Sequence, residues 1–238
     1  MSPLITSRVL LMSNPTHRVT AVFFDLDGTL LDTAPDLADA LNQLLNKHGR
    51  DPLPLKVIRP TVAQGTRGIL ANGFSINQTD PRFNPLRDEF LSIYQSCLTN
   101  KTTYFDGMAE VLEYLDVHAI PWGVVTNKPG WLARPLLNHF KLTRRYRCLI
   151  SGDQLANRKP HPEPLLFACK TVDVQPHTAL YVGDTEGDIQ AAKAAGMLAV
   201  AATYGYLSAN STPQDWKADA LIKSPLELID WLKGNENT

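Results

Sequence analysis

"VFFDLDGTLLDT", residues 22–33, runs a hydrophobic triplet, Val22-Phe23-Phe24, straight into Asp25, with Asp27 and Gly28 close behind. Val19 to Phe24 is rich in β-branched and aromatic residues and bounded by polar ones, the pattern of a short buried strand. Carboxylates seldom sit at the end of such a strand unless something pairs them. Two questions follow: which fold buries this strand, and what do two carboxylates do at its carboxyl end?

Working outward, "TAPDLADALNQLLNKHG" (33–49) reads as a helix. Thr33 can cap it, Asp36 lies three residues on, and Leu37, Leu41, Leu44 and Leu45 form one stripe. Residues 51–83 are punctuated by Pro and Gly and read as a looser segment. "NPLRDEFLSIYQSCL" (84–98) reads as a second helix, with Asn84 as cap and Pro85 at the first position. From about residue 104 strands and helices alternate. Strands are expected at "IPWGVVTN", "RCLIS", "ALYVGD", "LAVAAT" and "ADALI", with helices between them. This alternation predicts an α/β fold, a doubly wound Rossmann-like parallel sheet with helices on both faces. A helical cap interrupts it after the first strand. Residues 1–18 are expected to be a disordered extension, with Met12 an alternative start. The core takes 19–33 and 104–238, and the cap takes 34–103, with hinges near Thr33-Ala34 and Tyr104-Phe105.

At 238 residues the chain can hold one large domain or a domain with an insertion. Its 44% hydrophobic and 20% charged content is ordinary for a globular protein. A formal net charge of −1 gives no electrostatic reason to expect a nucleic-acid or membrane partner. No apolar run approaches the roughly 18 residues that span a bilayer. Cys97, Cys148 and Cys169 match no zinc or redox spacing, so a reduced, cytoplasmic setting is expected. The sequence leaves monomer and homodimer equally open.

In open α/β sheets, ligands bind beyond the carboxyl ends of the strands. Those ends carry Asp25 and Asp27, Thr126 and Asn127, and Asp184 with Asp188 four residues on; Lys159 lies in a nearby loop. Asp25, Asp27 and Asp184 offer hard oxygen ligands suited to Mg²⁺. Thr126, Asn127 and backbone N–H groups can hold phosphate oxygens, the main task in phosphoryl transfer. One carboxylate can attack phosphorus, and a second can protonate the leaving alkoxide and then activate water. Gly28 permits the sharp turn between them.

"DLDGT", Thr126, Lys159 and "GDTEGD" together resemble the four ordered motifs of the haloacid dehalogenase superfamily, over essentially the whole chain from residue 20. The resemblance implies Asp25 as nucleophile and metal ligand, and Asp27 as acid/base with its backbone carbonyl on the metal. It implies Thr126 and Lys159 as phosphate-binding catalytic residues and Asp184 as third metal ligand. Asp188 would support the metal waters or Lys159. The second aspartate, Asp27, sets aside the dehalogenase and phosphonate-cleaving branches. "VVTNKP", "KPHPEPLL", "GDIQAAKAAG" and "TYGY" resemble phosphoglycolate phosphatases. "QGTRGILANGF", "LRDEFLSIYQ" and "FDGM" lean toward the N-acetylmuramic acid 6-phosphate phosphatases. The expected activity is Mg²⁺-dependent hydrolysis of a small phosphorylated metabolite through an aspartyl-phosphate. A sugar phosphomutase and a non-catalytic phosphometabolite-binding module are the alternatives.

Both candidate substrates carry a carboxylate, and Arg67 in "QGTRG" is the cation placed against it, with a solvated surface role as its plain alternative. Lys128 reads as a surface charge and His161 as a structural turn residue. Trp122, Trp131, Tyr204 and Tyr206 read as packing residues.

Overall fold

Alternate side chains of the first core strand enter two different cores: Val22 and Phe24 one, Ala21 and Phe23 the other. A strand buried on both faces belongs in the middle of a parallel sheet. A computed structural model, describing residues 10–11, 18–208 and 210–236, places it there. The early chain forms β1 (Leu10–Leu11), β2 (Ala21–Phe24) and β3 (Leu31–Asp32). Four helices follow: α1 (Ala34–Lys47), α2 (Leu55–Val62), α3 (Gly65–Phe74) and α4 (Phe83–Cys97). Then come β4 (Thr103–Tyr104), α5 (Met108–Val117), β5 (Trp122–Val125), α6 (Gly130–His139), β6 (Leu149–Ile150) and α7 (Glu163–Val172). The chain continues through β7 (Ala179–Gly183), α8 (Glu186–Ala194), β8 (Leu198–Ala202), β9 (Ala220–Ile222) and α9 (Leu226–Glu236).

The main sheet runs β1-β9-β8-β7-β2-β5-β6. Its pairings are parallel except at the edge, where Leu10 and Leu11 run antiparallel to β9. Those two residues are therefore in a strand rather than in the disordered extension expected for 1–18. Apart from Arg18, the rest of that segment lies outside the described residues. Helices α5, α6 and α9 pack into one core and α7 and α8 into the other, giving the doubly wound architecture expected. Phe23, Phe24, Leu26, Leu30 and Leu31 are all fully buried. At roughly 1.5–3 kcal/mol each, such groups offset the several kcal/mol that each buried carboxylate at the strand end costs.

Between β3 and β4 the chain builds the inserted helical layer. Leu31 pairs with Tyr104 and Asp32 with Thr103, so the two connections to this layer run side by side. Helix α1 packs on α2, α3 and α4. Residues 51–83, read as loose, hold both α2 and α3. Pro and Gly do not break the helices here: Pro60 lies inside α2. Pro54 sits at the start of α2. A Cβ on Gly73 would lie 2.8 Å from Leu41 of α1, so this glycine permits a close helix contact. Helix α4 begins at Phe83 rather than after Asn84, because Asp80 already turns the chain by accepting from the Arg82 and Phe83 N–H groups. Among the described residues no helix is long and apolar enough to cross a membrane.

Candidate active site

Three neighbouring strands, β5, β2 and β7, are followed immediately by Thr126, Asp25 and Asp184. Their parallel register brings these residues to one edge, where sequence separation would keep them far apart. Gly28, at φ +87°, turns the chain back immediately after Asp27; a Cβ there would collide with the Asp184 carboxylate and Tyr206. Lys159 reaches in from the loop before α7. Its Nζ lies 2.9 Å from Asp25 Oδ1, 2.7 Å from Asp188 Oδ1 and 2.6 Å from the Tyr181 hydroxyl.

Asp188 is held differently from the other acids. Its Oδ2 accepts from the Thr185 N–H and hydroxyl in a capping box that starts α8, while Oδ1 receives Lys159. It anchors the lysine. Asp184 Oδ2 accepts from the Tyr206 N–H at 2.8 Å, and its Oδ1 has only a long contact, 3.3 Å, with the Thr29 hydroxyl. Lys159 makes an ion pair with Asp25 Oδ1, and that buried oxygen has no partner besides it among the described residues. Thr126 Oγ1 accepts from the Lys128 N–H at 3.2 Å, which leaves its hydroxyl proton free for a ligand. Asn127 spends its side chain on both backbone groups of Lys159, so its own backbone N–H is what it can offer a phosphate oxygen.

Burial dominates the electrostatics. It pushes Asp25 up to about 6 against the pull of Lys159, with Asp188 and Asp27 adding to the rise. Burial, then Asp188 and Asp25, hold Asp184 well above the ordinary carboxylate range. For Lys159 burial alone would favour the neutral amine, but Asp188 and Asp25 outweigh it and raise the lysine. These shifts describe a cluster short of positive charge. Carboxylate oxygens of Asp25, Asp184 and Asp188 lie within 4.8 Å of one another. This Asp25 oxygen and the weakly bonded Asp184 Oδ1 suit a hard divalent cation. Two lysines, Lys128 and Lys159, offset half the formal charge of Asp25, Asp27, Asp184 and Asp188, and one Mg²⁺ would complete the balance.

The acidic edge opens into a cavity of ≈ 680 Å³ between the sheet and the inserted helices. Asp25, Asp27, Thr126, Asn127, Lys159 and Asp188 line its floor, and α3 and α4 close its far side. Arg67 is exposed in the first turn of α3 and lines the cavity, alongside Arg87 and Arg158. Trp131, read as a packing residue, is 43% exposed and also lines the cavity.

Lys128 is the clearest departure from the sequence reading. It is buried, not on the surface, with its Nζ 2.9 and 3.2 Å from the two oxygens of Asp27 and 2.9 Å from the Tyr94 hydroxyl. Its place next to Thr126 and Asn127 was the available signal, but its partners come from distant segments. Thr33 occupies the N-cap position of α1 as expected, but its hydroxyl makes no capping bond and donates instead to Asp27 Oδ1 at 2.6 Å. Tyr181, in the middle of β7, could have been noticed because a hydroxyl in a buried strand needs a partner.

Comparison with known proteins places this geometry. A family model described as haloacid dehalogenase-like hydrolase matches residues 22–202. The chain is 43% identical over 208 residues to a phosphoglycolate phosphatase of Xanthomonas campestris pv. campestris, covering 87% of this chain and 94% of the relative. It is 38% identical over 215 residues to the N-acetylmuramic acid 6-phosphate phosphatase of Pseudomonas aeruginosa, covering 90% and 95%. Among solved structures, that of a predicted phosphoglycolate phosphatase from Haemophilus somnus 129PT superposes with a TM-score of 0.79 at 27% identity, covering 92% and 98%.

Proposed function

This chain belongs to the haloacid dehalogenase-like hydrolases, and we propose that it is an Mg²⁺-dependent phosphomonoesterase acting on a phosphorylated sugar acid of the N-acetylmuramic acid 6-phosphate type. The observation that carries the reading is the convergence of Asp25, Thr126 and Asp184 from three adjacent strands, with Lys159 2.9 Å from Asp25 and with Asp25, Thr126 and Lys159 on the floor of one cavity.

Asp25 is the nucleophile. Titrating at about 6, it is mostly ionised at neutral pH and can attack phosphorus to form an aspartyl-phosphate. Lys159, anchored by Asp188 and Tyr181, fixes the line of that carboxylate. The Thr126 hydroxyl and the Asn127 N–H hold the non-bridging phosphate oxygens. Asp27, two residues on and turned by Gly28, protonates the leaving alkoxide and then takes a proton from the hydrolytic water. Asp25, the Asp27 backbone carbonyl and Asp184 would hold Mg²⁺, which when bound neutralises the carboxylates and draws charge from the phosphate oxygens.

The cavity's size supports the larger substrate. At ≈ 680 Å³ it is in the range that takes a whole sugar ring, whereas a two-carbon acid would fill little of it. Arg67 meets the substrate carboxylate. 2-Phosphoglycolate is the second reading, favoured by the activity named for the Xanthomonas relative. A phosphate-release screen with Mg²⁺ tests both, using N-acetylmuramic acid 6-phosphate, 2-phosphoglycolate and hexose phosphates. Highest kcat/KM on N-acetylmuramic acid 6-phosphate is expected. Isomerisation of a hexose phosphate without phosphate release would make the chain a mutase. Tight binding with no turnover would make it a binding module.

A further inference from the structure

Lys128 has no part in the chemistry described above, yet its ammonium is among the most enclosed cations of the molecule, with a side chain 6% exposed. Enclosing an ammonium costs several kcal/mol unless partners replace its water. Here three do: Asp27 Oδ1, Asp27 Oδ2 and the Tyr94 hydroxyl, one for each N–H. The ammonium also sits 4.6 Å from the centroid of the Tyr94 ring. Tyr94 is 1% exposed and stacks on Phe90, so it is fixed to α4. On its own segment Asp27 has one side-chain partner, and Lys128 is its one cationic partner among the described residues. It follows the strand end, its side chain is 21% exposed, and the Thr33 hydroxyl is its other partner.

We propose that Lys128 is a positioning residue. Braced on Tyr94, it holds the Asp27 carboxylate where it must meet the leaving-group oxygen, and so makes proton transfer depend on α4 being seated on the core. The inference rests on the reading of Asp27 as acid/base. Proton transfer needs heavy atoms within about 2.6–3.2 Å, and a misplacement of about 1 Å can cost on the order of a hundredfold in rate. Lys128 grips both carboxylate oxygens from one side while Thr33 takes Oδ1, which leaves the side chain little freedom. Phe83, Arg87, Phe90 and Leu91 of α4 line the same cavity. A ligand that seats α4 thereby also sets Asp27.

The test compares two kinds of ester. p-Nitrophenyl phosphate releases its alcohol without a proton, whereas N-acetylmuramic acid 6-phosphate and 2-phosphoglycolate are alkyl esters that need one. Lys128→Met is expected to lower the first-turnover rate of alcohol release, the step before the common aspartyl-phosphate is hydrolysed, by about 30- to 100-fold on the alkyl ester that the native enzyme hydrolyses. Its loss on the aryl ester should be at least about tenfold smaller. Tyr94→Phe, which removes only the hydroxyl, should show the same preference at about five- to tenfold. The double variant should be no worse than Lys128→Met alone, because Tyr94 acts through the lysine. Lys128→Arg should recover part of the loss.

Equal first-turnover losses on both esters, a raised KM at an unchanged first-turnover rate, or no loss would overturn the proposal. If Lys128→Met fails to fold by circular dichroism, the isosteric Tyr94→Phe decides on the same criteria. Asp27→Asn separates the inference from the reading beneath it. Alkyl-selective loss in Asp27→Asn but not in Lys128→Met rejects the positioning role alone. No selectivity in Asp27→Asn rejects the acid/base reading, and the positioning role with it.

Discussion

Asp36 and Asp25 are both buried aspartates, and their surroundings differ in one respect. Asp36, at the start of α1, accepts from the Lys101 N–H, the Thr102 N–H at 2.8 Å and the Thr102 hydroxyl at 2.7 Å. It ties the beginning of the inserted layer to its end. Asp25 Oδ1 has only the Lys159 ion pair, and Asp184 beside it has an oxygen that is weakly bonded. A buried carboxylate with its acceptors filled holds structure together. One left short, in a cluster that needs another cation, is stored for a ligand.

The largest effect that can break this contrast is on turnover. Asp25→Asn should lower Mg²⁺-supported phosphate release by at least about 10³-fold while the metal-free protein melts no lower than native. Substantial remaining activity in clean protein would sink the nucleophile assignment. Asp36→Ala should do the reverse, removing roughly 3–5 kcal/mol of stability by stranding buried donors. Since 1 kcal/mol moves the Tm of a chain of this size by about 2–4 °C, a native melting curve for that variant would refute its structural role.

A smaller effect sharpens the comparison through pH. Burial raises Asp25 to about 6 when folded against 3.8 ordinarily, and it raises Asp184 in the same direction. Across that window the folded state binds more protons than the unfolded one, so metal-free stability should fall as pH rises. Mg²⁺ displaces those protons, so its stabilisation should be larger near about pH 7.5 than near about pH 5. Thermal melts with and without Mg²⁺ at the two pH values check this, and equal shifts would count against the charge-deficient cluster. The smallest effect concerns the far side of the cavity. Arg67→Ala should raise KM about tenfold on the carboxylate-bearing ester, with kcat little changed and no effect on a hexose phosphate, which lacks the carboxylate. An unchanged kcat/KM on the acid substrate would leave Arg67 a surface residue.

Much of the molecule was legible because its signals are local. The strand before Asp25, the leucine stripe of α1 and the alternation after residue 104 each follow from the side-chain periodicity of a single element. Reading failed where a residue serves a contact rather than its neighbours. Gly73 looked like punctuation and instead admits Leu41 across a helix interface. Thr33 is the cap residue of α1, yet its hydroxyl bonds Asp27 rather than the helix. Lys128 looked like a surface charge because both of its partners are remote in sequence.

The sequence by itself determined the sheet, the helical insertion and the acidic residues at the strand ends, since hydrophobic period and residue chemistry act over a few positions. Tertiary structure decided which of those acids are satisfied, where Lys128 and Tyr94 meet Asp27, and how much room stands above Asp25. Hydrogen bonding and burial depend on what the rest of the chain brings to within 3 Å, and no local pattern encodes that.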